Sequence, residues 1–495
     1  MLKAETNTPR KDASGNGPKL SACCEKEREH PLDLILEGLW SLAEAAAQLF
    51  LQPFYYISII MIALLYRRQV LLERKLFHAR LHSWGAQTWR TVIAGLLAGV
   101  TVSVLFAFLG MDLTLEGIVC IWAVTIVLLL FRVRYLCLAY SVGLLGVAQF
   151  GLNLFPGFAG TGWGGEIVRI VRELDMPALL CLVGLLHIAE GLLVRWQGAS
   201  FAGPLFYEGK RGKLVGGYQM QSLWAVPLFL LVPMETAGNV LPWTPFFGGD
   251  AWQGGFGMIG LPIIIGFSEM TMGFLPKDKA RVSSGRLLAY GAAVLVLALA
   301  AAWWSPLLLL AALAAFLLHE GLVWYSRYEE QRRSPLYVNP LGGVRVLAVL
   351  PGSPADELGI RAGETIVKVN GVPVPTKEDL HAALRINPAY CKLEVRNLAG
   401  ESKFLQRAIY AGDHHQLGAI LAPDELAPAA VRLQPLSLLQ LVRPRRSARA
   451  VQGARASGGG GAAAGGTGPA GAGGPGAGAA ASASRAAQRQ GGSAA

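Results

Sequence analysis

Apolar residues in this chain come in long unbroken runs rather than in the short alternations of a soluble domain. The runs from Phe54 to Tyr66, Thr91 to Gly110, Leu113 to Phe131, Tyr135 to Phe155, Pro177 to Val194, Leu287 to Trp304 and Leu307 to Tyr325 approach or reach the length of a bilayer-crossing helix. Two more, Leu223 to Leu241 and Phe256 to Leu275, are interrupted by Pro and Gly and predict broken spans. Together they predict about nine crossings. Upstream, Leu32 to Phe50 is apolar but carries Asp33, Glu37 and Glu44 on one helical face, which predicts an amphipathic or re-entrant helix.

Composition agrees with this pattern. Of 495 residues, 53% are hydrophobic and 16% charged, with a mean hydropathy of +0.41, too apolar for a soluble protein of this size. The net charge of +11 does not point to nucleic acid, because the basic residues lie in loops between spans and in the tail. Arg67, Arg68, Arg74, Lys75, Arg80 and Arg90 follow the first span, and Arg132 and Arg134 separate the third and fourth. Further groups at Arg195–Lys213, Lys277–Arg286 and Arg327–Arg333 make every second loop basic, which predicts that these loops are cytoplasmic. The loop from Pro156 to Met176, with Arg169 and Arg172, is the exception. The six cysteines suggest neither a disulfide framework nor a metal site.

Past Arg333 the pattern changes to that of a small α+β domain. Val344 to Leu350 is a β-branched strand ending at Pro351-Gly352, and Ser353-Pro354 opens a short helix that Gly359 ends. Ile366 to Val369 is a second strand, closed by the turn signal Asn370-Gly371, and Thr376 caps a helix through Leu384. In order and spacing, Pro335 to Asp413 resembles a PDZ domain. The resemblance implies a groove in which a partner peptide adds as an extra strand. It places Lys377, His381 and Leu384 on the groove face of the helix, with Leu380 and Ala383 toward the core. The carboxylate-binding Gly-Leu-Gly-Phe loop is missing, and the upstream residues Leu336, Tyr337 and Val338 are the available edge strand.

The resulting architecture is an all-α polytopic membrane domain followed by a small α+β PDZ domain and a disordered tail. Its parts are a disordered N-terminal segment (1–31), the amphipathic or re-entrant helix (32–50), the transmembrane domain (51–326), the PDZ domain (335–413), a linker (414–442) and a disordered Gly/Ala/Arg-rich tail (443–495).

No complete catalytic set accompanies these parts. A zinc protease of the site-2 type needs His-Glu-x-x-His on one helix, but His319-Glu320 is followed by Val323 and His187 precedes Gly191. There is no rhomboid-type Gly-x-Ser-Gly, no Gly-x-Ser-x-Gly and no phosphate-cradling loop. No catalytic residue, metal ligand or cofactor is therefore assigned. His187, Glu190, His319 and Glu320 still lie within apolar spans, where an ionisable group costs about 2.5–3.5 kcal/mol unless paired or wet. They are read as structural interhelical pairs, with a buried metal or proton site as the sharper alternative.

The multi-span domain, the basic first loop from Arg67 to Phe77, the His-Glu-Gly last span and the PDZ segment together resemble the MinJ family of bacterial division-site selection. The resemblance implies a membrane-anchored adaptor at septum and poles with DivIVA-like and MinD-like proteins as partners, and the basic-loop pattern predicts that its PDZ domain is cytoplasmic. A protease-like protein or protease regulator is one alternative. A transporter, drawn from the two broken spans, is another.

Overall fold

The computed structural model describes residues 31–424 apart from 111–112, 159, 210–211, 234–244, 248–255, 388 and 409–416. The expected N-terminal segment up to residue 30, the 414–442 linker apart from 417–424, and the tail lie outside the described residues.

Seven helices come first: α1 (Pro31–Leu51), α2 (Pro53–Phe77), α3 (Trp84–Leu109), α4 (Leu115–Phe131), α5 (Leu138–Leu154), α6 (Trp163–Glu173) and α7 (Met176–Gln197). Three strands follow, β1 (Ala202–Glu208), β2 (Leu214–Pro233) and β3 (Phe256–Thr271), then α8 (Pro276–Trp303). The last apolar run is α9 (Leu307–Leu313), a π-helical turn (Ala314–Leu318) and α10 (His319–Arg332). Prolines open α2, α7 and α8 in their first turns, where the missing N–H costs nothing. Asp175 caps α7 by accepting from the Ala178 N–H at 3.0 Å.

Among the described residues, five helices are long and apolar enough to cross a membrane: Pro53–Phe77, Trp84–Leu109, Met176–Phe201, Pro276–Trp303 and Leu307–Arg332. The expected nine is not reached, for two reasons. α4 and α5 have 17 residues each, about 25 Å of helix against a hydrocarbon core of about 30 Å. The described parts of the two broken runs are strands: β2 and β3 pair antiparallel from Tyr218↔Thr271 to Pro233↔Phe256. The prolines that suggested broken helices face each other at Pro227↔Pro262. Strand edges tolerate Pro where its nitrogen points out of the ladder.

Helices cover the outer edges of this hairpin. A Cβ on Gly95 or Gly99 of α3 would lie 2.2 Å from the Ala225 carbonyl oxygen or 2.1 Å from that of Pro227, so only glycine permits the approach. The Phe229 N–H donates to Ser103 Oγ at 2.8 Å, and Gln52 Nε2 donates to the Gly260 carbonyl at 2.9 Å. Strand edges in an apolar medium need such partners. α7 runs through the centre, buried along most of its length, and meets α8 at Gly184 and Gly291. A Cβ on Gly291 would stand 2.8 Å from the Gly184 carbonyl oxygen, a close crossing of the kind small residues allow.

The basic residues are less free than their spacing implies. Lys279 is fully buried, donating to Ser326 Oγ at 2.9 Å with Glu269 and Glu330 at 3.5 and 3.8 Å. Arg286 pairs with Glu329 at 2.8 Å. In the exceptional loop, Arg169 pairs with Glu166 at 2.6 Å and Glu173 at 2.5 Å. Arg172 donates to the carbonyls of Leu152, Phe155 and Phe158 at the end of α5.

The second layer of structure is β-rich: β4 (Val344–Val349), α11 (Pro354–Glu357), β5 (Thr365–Val369), β6 (Val372–Pro373), α12 (Lys377–Ile386), β7 (Tyr390–Arg396), β8 (Ser402–Ala408) and β9 (Ala419–Leu421). The sheet order is β8-β7-β5-β4-β9, with β6 paired to β5. Ser353 and Thr376 cap their helices by accepting from the N–H groups of Asp356 and Asp379. Asn370 and Gly371 both take positive φ, 52° and 84°, as a two-residue hairpin turn requires. Val344, Val346, Ile366, Val369, Leu380 and Leu393 lie in a core of this domain's own.

Candidate functional site

A PDZ groove needs an unpaired strand edge beside a helix. The structure supplies this at a place the upstream sequence does not predict. Leu336, Tyr337 and Val338 do not border α12. The Leu336 N–H donates to the Met272 carbonyl at 2.8 Å, and the Gly216 N–H donates to the Tyr337 carbonyl at 3.0 Å. Tyr337 is fully buried, edge-on to Tyr218. The segment is thus spent on the β1–β3 sheet and ties the PDZ domain to the membrane domain, while Val338 is exposed.

The edge strand is β9, downstream of the rest of the domain. It pairs antiparallel with β4 at Val349↔Ala419, Ala348↔Ile420 and Val346↔Leu421. The Gly418 carbonyl accepts from the Leu350 N–H, and the Ala422 N–H donates to the Arg345 carbonyl, so Gly418 and Ala422 turn their backbone groups toward β4. Alternation along a strand then turns those of Ala419 and Leu421 to the open side. Among the described residues no strand pairs there. Leu417 and Leu421 share a core with Leu384 of α12, which sets strand and helix against one floor. Gly418, at φ +76°, makes the turn into the strand. The sequence signal is Leu417-Gly418-Ala419-Ile420-Leu421, a Leu-Gly step followed by apolar residues, displaced to the domain's C-terminal side.

On α12, Lys377 is exposed, His381 half-buried and Leu384 buried at 7% exposure. Leu384 therefore belongs to the floor more than to the wall. Leu380 and Ala383 are buried at 2% and 1%. Partial burial, with the positive charges of Lys377 and Arg385 beside it, holds the His381 imidazole below its usual pKa.

The intramembrane residues form a second constellation. His319 and Glu320 part company. Glu320 pairs with Arg134 and accepts from Tyr140 Oη at 2.9 Å, so its carboxylate is committed. His319 turns to His187, their rings edge to face at 5.3 Å between centroids. Cys137, absent from the sequence-level site, stands between them: its Sγ is 3.2 Å from His187 Nε2 and 3.6 Å from His319 Nε2. Glu190 Oε2 lies 3.9 Å from His187 Nε2. Gly191 packs against Leu288 of α8, whereas Gly321 has nothing within 4 Å of a would-be Cβ. The separation of Cys137, His187 and His319 along the chain explains why no local motif announces them.

The five long apolar helices and the groove-bearing domain define the class: a membrane protein with a PDZ module. Residues 345–396 match the PDZ domain family. The chain is 33% identical over 399 residues to the cell division topological determinant MinJ of Bacillus subtilis (strain 168), covering 79% of this chain and 97% of that protein. It is 27% identical over 371 residues to a probable cell division topological determinant MinJ of Lacticaseibacillus paracasei, covering 72% of this chain and 91% of that protein. The chain belongs to the MinJ family of cell division topological determinants. A stretch of 41 residues is 46% identical to part of a putative serine protease, HhoA, of Synechocystis sp. (strain ATCC 27184 / PCC 6803 / Kazusa), but it spans 8% of this chain, too little to carry that protein's chemistry.

Proposed function

We propose that this protein is a multi-pass membrane adaptor that selects division sites by holding a PDZ groove at the cytoplasmic face. There it recruits partner proteins through the edge of β9. The observation that carries this reading is the pair of outward-facing backbone positions, Ala419 and Leu421, beside α12 in a domain tied to the membrane part by Leu336 and Tyr337. A tethered groove meets other membrane-bound proteins at high effective concentration, so modest affinity is enough. DivIVA-like and MinD-like proteins are the partners the family resemblance implies, with enrichment at septum and poles.

The geometry favours this over the alternatives. A protease would need a free general base, and Glu320 is held by Arg134 and Tyr140. A transporter reading rested on discontinuous helices, and those stretches are β2 and β3.

The test is complementation of a Bacillus strain lacking the relative. The full chain should restore division placement. Ala419→Pro removes one outward N–H while leaving the β4-facing groups intact, and should fail to restore it at equal membrane abundance. Full rescue by Ala419→Pro would remove the groove from the function.

A further inference from the structure

We propose that Cys137, His187 and His319 form a binding site for a thiophilic d-block dication, zinc first, that clamps three helices together inside the membrane domain. One thiol sulfur and two imidazoles converge from the start of α5, the middle of α7 and the start of α10, and their donor atoms all lie within 4.8 Å of one another. The spacing fits a coordination sphere. Zinc–sulfur bonds of about 2.3 Å and zinc–nitrogen bonds of about 2.0–2.1 Å in a tetrahedron give an S···N edge of roughly 3.5 Å. The two S···N separations are 3.2 and 3.6 Å.

The hydrogen-bond pattern prepares these atoms for a cation. His187 Nδ1 is 2.7 Å from the Val183 carbonyl oxygen, and a carbonyl can only accept. Nδ1 therefore carries the proton, and Nε2 presents its lone pair to the cluster, as in ligating histidines oriented by an outer partner. His319 Nδ1 has no partner among the described residues, so no bond on that side fixes its ring. The Cys137 thiol has one proton and faces two ring nitrogens. A dication would engage all three donors at once, displacing the thiol proton to the medium.

Two further features suit the assignment. The π-helical turn Ala314–Leu318 immediately precedes His319 and sets its angular position relative to α9; such turns recur at functional sites. Glu190 lies one turn beyond His187 with Oε2 3.9 Å from its Nε2, outside the set of three whose donor atoms all lie within 4.8 Å of one another. His187 is only 3% exposed, which fits a structural site better than a catalytic one. The clamp would fix the register of α10, the helix that leads to the PDZ domain, against α5 and α7.

The experiment uses the full chain purified in detergent, stripped with chelator and titrated with Zn(II) or Co(II). Wild-type protein should take up about one equivalent of zinc, and with cobalt should develop a thiolate-to-metal charge-transfer band. Cys137→Ser should lose the band and weaken zinc binding at least tenfold. His319→Ala should weaken it similarly, and Cys181→Ser, a change at the buried cysteine of α7, should leave both readouts unchanged. Absence of stoichiometric uptake and of the cobalt band in the wild-type protein would overturn the proposal, as would wild-type binding by Cys137→Ser.

Discussion

His381 shows how much one side chain's surroundings decide. Its imidazole is held below the usual value by partial burial and by Lys377 and Arg385, so the folded domain binds this proton less readily than the unfolded chain does. The His381 contribution to stability is therefore complete above the unfolded value near 6.5. It is lost as pH falls from there through the lowered folded value. Thermal unfolding followed from pH 7.5 to 5 should show a falling midpoint, and His381→Gln should flatten that part of the profile. An identical slope in the variant would show that another group is responsible. Cys391 makes a complementary point. It is buried in β7 at 1% exposure and burial pushes its thiol up to about 11, so it is unreactive although it stands alone in the domain's sequence. Neither burial could be read from local composition.

At the scale of elements, legibility followed periodicity and length. The seven uninterrupted apolar runs all fall on helices, because a run of that length has few other ways to satisfy its backbone in lipid. β2 escaped because a strand buried on both faces loses the alternation that identifies a strand, and β3 because its apolar residues run together without alternating. Their Gly and Pro residues then look like helix breakers. β9 escaped because it has three residues and lies after the domain it completes. The α7–α8 crossing offers a direct check on packing. Gly291→Val puts a branched side chain where a Cβ already meets the Gly184 carbonyl oxygen and the Ile188 nitrogen at 2.8 Å. Overpacking of this kind costs about 1–3 kcal/mol. Unfolding of the detergent-solubilised protein should shift down accordingly, while Gly285→Ala, where a Cβ meets nothing within 4 Å, should not.

The whole molecule depends on how the PDZ domain is joined to the membrane domain. Tyr337, Leu347, Ala348 and Ile420 share one core cluster with Tyr218 and Met220 of β2, and Tyr218 Oη donates to the Leu347 carbonyl. One face of the β4–β9 pair is thus packed on the membrane domain, and among the described residues no strand pairs with the outer edge of β9. Removing the aromatic plug with Tyr337→Ala should cost about 3–5 kcal/mol at the junction. Limited proteolysis should then cut between residues 333 and 343 sooner than in the wild-type chain, while the PDZ fragment itself resists digestion. Equal cleavage rates would mean that the junction is held elsewhere.

Side of the membrane is the claim on which the adaptor account rests, and a thiol at an exposed turn measures it directly. Val372, 40% exposed beside the Asn370-Gly371 turn, can be replaced as Val372→Cys in a chain whose native cysteines are changed to serine. The account predicts that an impermeant maleimide leaves this thiol untouched in intact cells and labels it once the membrane is opened. Labelling in intact cells would place the groove outside the cytoplasm and contradict the account.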